Sequence, residues 1–339
     1  MFIHTNGDHQ EPIPDIHLLS ELVLQYYGTQ IISFHRLQSD TEKHIYRVEQ
    51  ANGERWVLRL SPFTSNDRTL LELANLLTFL ENQNYPAERI IQTAEHTAVG
   101  TAAGWRFLMT TFLKGVRLDY TPSTLALLGA MLGRLHSLKT STSIPLPKAG
   151  MLPAQELTYA RQQLVSVASL VPKQLISRYE QLEKALSSID YCEDLPTVLI
   201  HNDCHPANAL LMAQGQVTLL DWEGAGMGQA IIDVGFLLSN CDGEAPWTLL
   251  SSSHPFQIDE ARLKGVIEGY CQHHQLTAKE LDRLPDAIRF RSIVFGACHF
   301  AAAITEHGGP ETPLWWWARY TAAEEIVDRA RKYLSIPRT

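Results

Sequence analysis

Apolar side chains recur at helical spacing over residues 16–27, and the run stops at Gly28, a residue that readily closes a helix. Three short strand-like runs follow, at 31–37, 44–49 and 55–60. The last two are separated by Ala51-Asn52-Gly53-Glu54, whose Asn-Gly pair signals a hairpin. Residues 67–82 place Leu70, Leu73, Leu76, Leu77 and Leu80 on one helical face, and Tyr85-Pro86 ends that helix. Two more strands are expected at 93–99 and 104–112, joined by a turn rich in Gly and Ala. The pattern then changes. After Lys114-Gly115 it predicts long helices at 121–138, 152–170, 172–189, 259–274, 277–305 and 313–334. Thr277-Ala278-Lys279-Glu280 forms a capping box. Between the helices lies one strand–loop–strand unit, 198–221.

A mostly β first part and a mostly α second part imply an α+β protein in two pieces, divided near Leu113-Lys114-Gly115. The length of 339 residues suits two domains or one large one. A formal charge of −9 argues against a nucleic-acid binder working through a broad basic surface. The five cysteines are scattered, odd in number and form no C-x-x-C pair, so a reducing compartment is expected. Residues 1–14 lack a signal pattern, and no apolar run reaches the roughly 18 residues that span a bilayer. These features point to a cytoplasmic protein with neither nucleic acid nor membrane as partner.

Residues 198–223 read VLIHNDCHPANALLMAQGQVTLLDWE. Polar residues between two apolar strands belong on a loop held by a rigid frame. Phosphoryl transfer requires a carboxylate to orient the attacking hydroxyl and take its proton, hard oxygen ligands for Mg²⁺, and a cation for the phosphate oxygens. Asp203 suits the first role. Asn208, five positions on, and Asp221, eighteen positions beyond Asp203, suit the second. Other readings exist for the same residues. Asp203 alone could cap a turn. His201, Asp203, Cys204 and His205 could be ligands of a zinc hydrolase, although no further ligands at defined spacing stand out.

The H-x-D-x-H-P-x-N stretch followed by D-W-E resembles the catalytic core of the aminoglycoside phosphotransferase/choline kinase family, whose fold is protein-kinase-like. The resemblance implies a small antiparallel-sheet N-lobe with one inserted helix (residues 1–113) and a large, mainly helical C-lobe (residues 114–339). It implies transfer of the γ-phosphate of ATP or GTP, with Mg²⁺, to a hydroxyl of a small molecule such as an amino sugar or amino alcohol. By the same resemblance Arg59 is the phosphate-contacting cation and Glu72 its ion-pair partner. Thr111 and Leu113 lie in the linker that holds adenine, and Leu132-Gly133-Arg134-Leu135-His136 is a helix signature of the family. Asp233 braces the active-site loop, while His201, His205 and Glu223 support it. The phosphate-covering loop falls at residues 38–43, where Ser39 and Thr41 can donate hydrogen bonds but no glycine is present. That departure leaves open a silent member of the fold that only binds a ligand, and a kinase acting on protein hydroxyls is a further alternative. Trp315-Trp316-Trp317 reads either as a buried helix segment or as an aromatic face for a cationic amine.

Overall fold

A computed structural model of the chain describes residues 15–37, 44–63, 69–140, 153–241, 257–307 and 315–334. The described residues form two compact units, one ending at Gly115 and the other beginning at Val116.

The first unit begins with α1 (Ile16–Tyr27), capped by Asp15, whose Oδ1 accepts the His17 N–H at 3.1 Å. It closes at Gly28, which takes the left-handed conformation that a glycine adopts without strain. The strands are β1 (Ile31–Arg36), β2 (His44–Gln50), β3 (Arg55–Pro62), β4 (Ile90–Ile91), β5 (Val99–Ala102) and β6 (Trp105–Thr111). They form one antiparallel sheet in the order β1-β2-β3-β6-β4, with β5 also on β6. Alternation along β2 turns Tyr46 and Val48 into the core, where α1 contributes Leu19, Leu22 and Val23 against Leu58, Phe107 and Met109. Helix α2 (Thr69–Asn82) lies in the chain between β3 and β4.

The strand expected at 93–99 is not formed. Thr93 and Thr97 share their hydroxyls at 2.8 Å, the Thr93 N–H reaches the Thr97 carbonyl at 2.9 Å, and His96 has φ 60°. A turn satisfied by its own side chains replaces the strand, which begins only at Val99.

The second unit holds the remaining helices: α3 (Pro122–His136), α4 (Pro153–Ser166), α5 (Ile176–Ser188), α6 (Ala230–Ser239), α7 (Glu260–Tyr270), α8 (Ala278–His307) and α9 (Trp315–Leu334). Thr277 and Glu280 exchange the expected capping-box bonds, Thr277 N–H to Oε2 at 2.8 Å and Glu280 N–H to Oγ1 at 3.2 Å. A 28-residue stretch of α8, Ala278–Thr305, is apolar enough by composition to cross a membrane, but 67% of its most apolar window is buried inside the fold, as for a core helix. Helices α3 and α7 meet backbone to backbone. A Cβ on Gly133 would lie 2.3 Å from the Tyr270 carbonyl oxygen, and one on Gly269 would lie 1.9 Å from that of Ala126. Two small antiparallel pairs carry the loop of interest. Strand β8 (Thr197–Ile200) pairs with β11 (Gly226–Gln229), a strand the apolar pattern did not suggest, and β9 (Ala209–Met212) pairs with β10 (Val217–Leu219). Strand β7 (Gly115–Arg117) extends the second pair on the β9 side.

Candidate active site

The apolar strand β8 ends at Ile200 and delivers His201-Asn202-Asp203 into a loop. Asn202 has φ 68°, a left-handed conformation that asparagine tolerates better than most residues. Asp233, in the first turn of α6, clamps this bend. Its Oδ2 accepts the His201 N–H at 2.6 Å and its Oδ1 accepts the Asn202 N–H at 2.7 Å. His136 Nε2 donates to the same Oδ2 at 3.2 Å. Its Nδ1 meets the Tyr270 hydroxyl at 2.9 Å. The glycine-lined approach of α3 and α7 is what brings His136 to Tyr270.

The His201 ring is fully buried and 4.7 Å from Trp222 between centroids; its Nε2 donates to the Leu220 carbonyl at 2.8 Å. That bond ties the loop to the end of β10, one residue before Asp221. The ladder does the same from the other side: Leu219 faces Ala209, and the Leu220 N–H donates to the Asn208 carbonyl at 2.8 Å. Asn208 and Asp221 therefore stand at the adjoining ends of two paired strands. Asp221 is exposed, with φ 60°.

Asn208 Nδ2 donates to Asp203 Oδ2 at 2.8 Å and to the Asp203 carbonyl at 3.1 Å. This fixes the amide so that its Oδ1 has no protein partner among the described residues. His205 Nδ1 accepts the Ala207 N–H at 3.3 Å, which turns Nε2 toward Asp203 Oδ1, 3.6 Å away. Burial works to raise the Asp203 carboxyl, but positive charge nearby, that of His205 first when its ring is protonated, outweighs burial and holds the carboxyl below its ordinary range. Burial lowers His205 despite the opposing pull of Asp203. At neutral pH Asp203 is thus an anion and an acceptor only, beside a neutral His205. Burial, reinforced by the charges of Asp233 and Asp203, pushes the Cys204 thiol well up, so it is a filler rather than a nucleophile or thiolate ligand. Among the described residues no three His, Cys, Asp or Glu side chains converge as a metal cluster. The carboxylate of Asp221 and the amide oxygen of Asn208 are instead hard oxygen donors, a set that suits Mg²⁺ with water and phosphate completing its shell.

In the first unit Arg59 is held by Glu88, not by Glu72. Its Nη2 and Nη1 donate to the two Glu88 oxygens at 2.8 and 3.0 Å, and Nη1 also donates to Thr110 Oγ1 at 2.9 Å. Thr110 in turn donates to Glu88 at 2.6 Å. Glu72 sits exposed on α2, while Glu88 lies in the loop before β4, where no periodicity marks it. The Thr111 N–H is taken by the Arg89 carbonyl at 2.8 Å and the Phe112 N–H by the Arg55 carbonyl at 3.1 Å, so Leu113 is the first residue whose backbone leaves this sheet. Ser39 and Thr41 lie outside the described residues. Glu223 is half-buried in the one-turn helix that follows Asp221.

The indole face proposed for an amine is already in use. Trp316 is buried, stacks on Phe295 at 4.9 Å and has the Arg319 guanidinium 5.2 Å from its ring. Trp317 stacks on Tyr320 at 4.9 Å and faces Arg178 at 5.1 Å. The Trp315 side chain lies outside the described part. Asp259 caps α7, and Glu260 is bonded to Lys332 and Tyr333.

An Asp–Asn–Asp set of hard oxygen groups on a loop framed by paired strands suits phosphoryl transfer. The profile of the phosphotransferase enzyme family matches residues 33–280, and the chain belongs to that family. No curated protein sequence matches it. Among solved structures it is similar to an amicoumacin kinase in complex with AMP-PNP, Ca²⁺ and Ami, with 18% identity, a TM-score of 0.65, and 93% of this chain and 94% of the other covered. It is also similar to a spectinomycin phosphotransferase in complex with ADP and spectinomycin, with 16% identity, a TM-score of 0.64, and 95% and 100% covered. The choline kinase LicA from Streptococcus pneumoniae shares 14% identity with a TM-score of 0.55, and 92% and 98% are covered.

Proposed function

We infer that this protein is a small-molecule kinase, moving the γ-phosphate of ATP or GTP to a hydroxyl of an amino sugar, an amino alcohol or a similar compound. The observation that carries this reading is the Asp203 carboxylate, ionised at neutral pH and fixed by Asn208 beside the strand end that presents Asp221. Asp203 Oδ1 accepts the acceptor's hydroxyl hydrogen and aligns its oxygen for attack. Asn208 Oδ1 and the Asp221 carboxylate would hold Mg²⁺, which when bound neutralises phosphate charge. The charge of Arg59, fixed by Glu88 and Thr110, is the cation for the phosphate oxygens. The ligands named for similar structures (AMP-PNP, ADP, amicoumacin, spectinomycin) support a nucleotide and a small hydroxylated acceptor. Only residues 222–229 separate Asp221 from α6, which leaves no room for a long activation segment of the kind protein kinases use.

The test is a screen of amino sugars, amino alcohols and nucleosides with MgATP and MgGTP, read by ADP or GDP release, with Asp203→Ala as the control. Acceptor-dependent release by the wild type, absent in the variant, supports the reading. No Mg²⁺-dependent nucleotide binding at millimolar concentration overturns it in favour of a silent member of the fold. Strong labelling of generic protein substrates overturns the acceptor class.

A further inference from the structure

Asn202 occupies a position with two separate demands. The backbone there is left-handed, with φ 68°, and the residue is buried at 6% exposure. Glycine would meet the first demand alone. The asparagine side chain does something more: its Nδ2 donates to Glu156 Oε1 at 3.1 Å. Glu156 comes from the first turn of α4 and is fully buried. Its other oxygen, Oε2, accepts from Arg291 Nη1 at 3.0 Å, and Arg291, from the middle of α8, is itself 1% exposed. An ion pair drawn from two helices is therefore buried directly behind the residue that precedes Asp203.

Such a pair is a poor device for stability. Removing two charges from water offsets most of their attraction, and well-packed apolar residues commonly replace a buried pair at no loss. Its placement makes sense if the pair serves geometry. Asp233 fixes the backbone of residue 202, and Glu156 fixes its side chain from the opposite end. Together they leave residue 202 one orientation, and Asp203 inherits it through the shared peptide.

We propose that Asn202, tethered by the buried Glu156–Arg291 pair, is a positioning residue that sets the direction in which Asp203 presents its carboxylate to the acceptor hydroxyl. The proposal rests on the phosphotransferase reading of Asp203. It assigns Glu156 and Arg291, more than forty positions upstream and downstream of the catalytic loop, to the turnover machinery rather than to the core.

The test compares wild type, Asn202→Gly, the double variant Glu156→Met/Arg291→Met, and Asp203→Ala. Asn202→Gly keeps a residue at ease in the left-handed region. The double variant removes both charges at once and leaves no uncompensated ion, so both are expected to fold. ADP release is read with MgATP, using water and an amino-alcohol and amino-sugar panel as acceptors, and a crystal structure of each variant is solved. The expectation is a drop in kcat of about tenfold in both variants, with KM for MgATP within about twofold of wild type. In the crystals the Asp203 Oδ2 to Asn208 Nδ2 contact is expected to be lost or split between conformers. Wild-type kcat in both variants, or a loop that superposes unchanged on that of the wild type, overturns the proposal. A fall in unfolding stability with unchanged kcat also overturns it, since that is what a merely structural pair would give. If wild type releases no more ADP than Asp203→Ala, the phosphotransferase reading fails instead, and the loop geometry in the variant crystals still decides whether the tether exists.

Discussion

Arg59 forks onto Glu88, one guanidinium nitrogen to each carboxylate oxygen, at 2.8 and 3.0 Å. The side chains are 12% and 4% exposed, so water does little to screen the pair. Planar, bidentate pairing fixes the direction of the guanidinium as well as its charge. Glu88→Gln is therefore expected to raise KM for MgATP about tenfold and to cost about 2–3 kcal/mol of unfolding free energy. Glu72→Gln, at an exposed helix position, is expected to leave both within error, with a stability change under about 0.5 kcal/mol. Steady-state kinetics and urea unfolding on the two variants check this. Equal effects, or a larger effect at Glu72, would reinstate Glu72 as the functional partner.

Asp233 gives its two oxygens to the backbone of His201 and Asn202 and shares one of them with His136. An asparagine there presents an amide N–H₂ where one of those donors now points. Asp233→Asn is expected to cost about 2–3 kcal/mol, the typical value of a buried hydrogen bond to a charged group. The loss should be local first. Hydrogen exchange at the His201 and Asn202 amides is expected to speed up by more than that of the β9–β10 hairpin. Uniform acceleration would show that Asp233 supports the whole unit and not this loop in particular.

The parts legible in the sequence were those encoded locally. α1 runs over Ile16–Tyr27, the span its apolar spacing predicts, and Asn208 and Asp221 stand at adjoining strand ends because β9 pairs with β10, with Asp203 bonded to Asn208. Failures arose where long-range partners decide. Glu88 has no pattern of its own and is defined only by the Arg59 and Thr110 it meets across the sheet. Glu156 and Arg291 each sit inside a helix, where an isolated charge reads as solvated surface until both turn out to be buried. Threonines at 93 and 97 look like strand residues, yet they satisfy each other in a turn. A run such as Gly226–Gln229 carries too little apolar signal to announce β11.

His299 is held neutral by burial, which pushes its pKa down to about 4. The unfolded chain binds a proton there near pH 6.5, and the folded chain does not until far lower. Between those values the unfolded state carries more protons, so stability rises with pH in this window and is lost as pH falls from about 6.5 toward 4. His205 is lowered by burial too and acts in the same direction. The Asp203 carboxyl, already below its ordinary range, adds nothing until the pH is lower still. His299→Gln is expected to flatten the dependence by on the order of 2–3 kcal/mol between pH 6.5 and 4.5. Urea unfolding at several pH values measures it, and an unchanged slope would mean that His299 titrates normally in the folded protein.

The last expectation concerns the contact that places His136. Helices α3 and α7 approach so closely that a methyl group on Gly269 would stand 1.9 Å from the Ala126 carbonyl oxygen and 2.9 Å from the Ala130 nitrogen. Those are backbone atoms and cannot rotate away, so Gly269→Ala must part the helices. Overpacking of this kind costs about 1–3 kcal/mol, although alanine is intrinsically the better helix former. The displacement is transmitted, because α7 carries Tyr270, whose hydroxyl meets His136 at 2.9 Å, and His136 meets Asp233. Gly269→Ala is therefore expected to lower both the unfolding midpoint and kcat. Leu127→Ala, at a 40% exposed position of α3, is expected to change stability by less than about 0.5 kcal/mol and kcat not at all. A stable, fully active Gly269→Ala protein would mean that the glycine contact is slack and that the His136–Asp233 clamp does not depend on it.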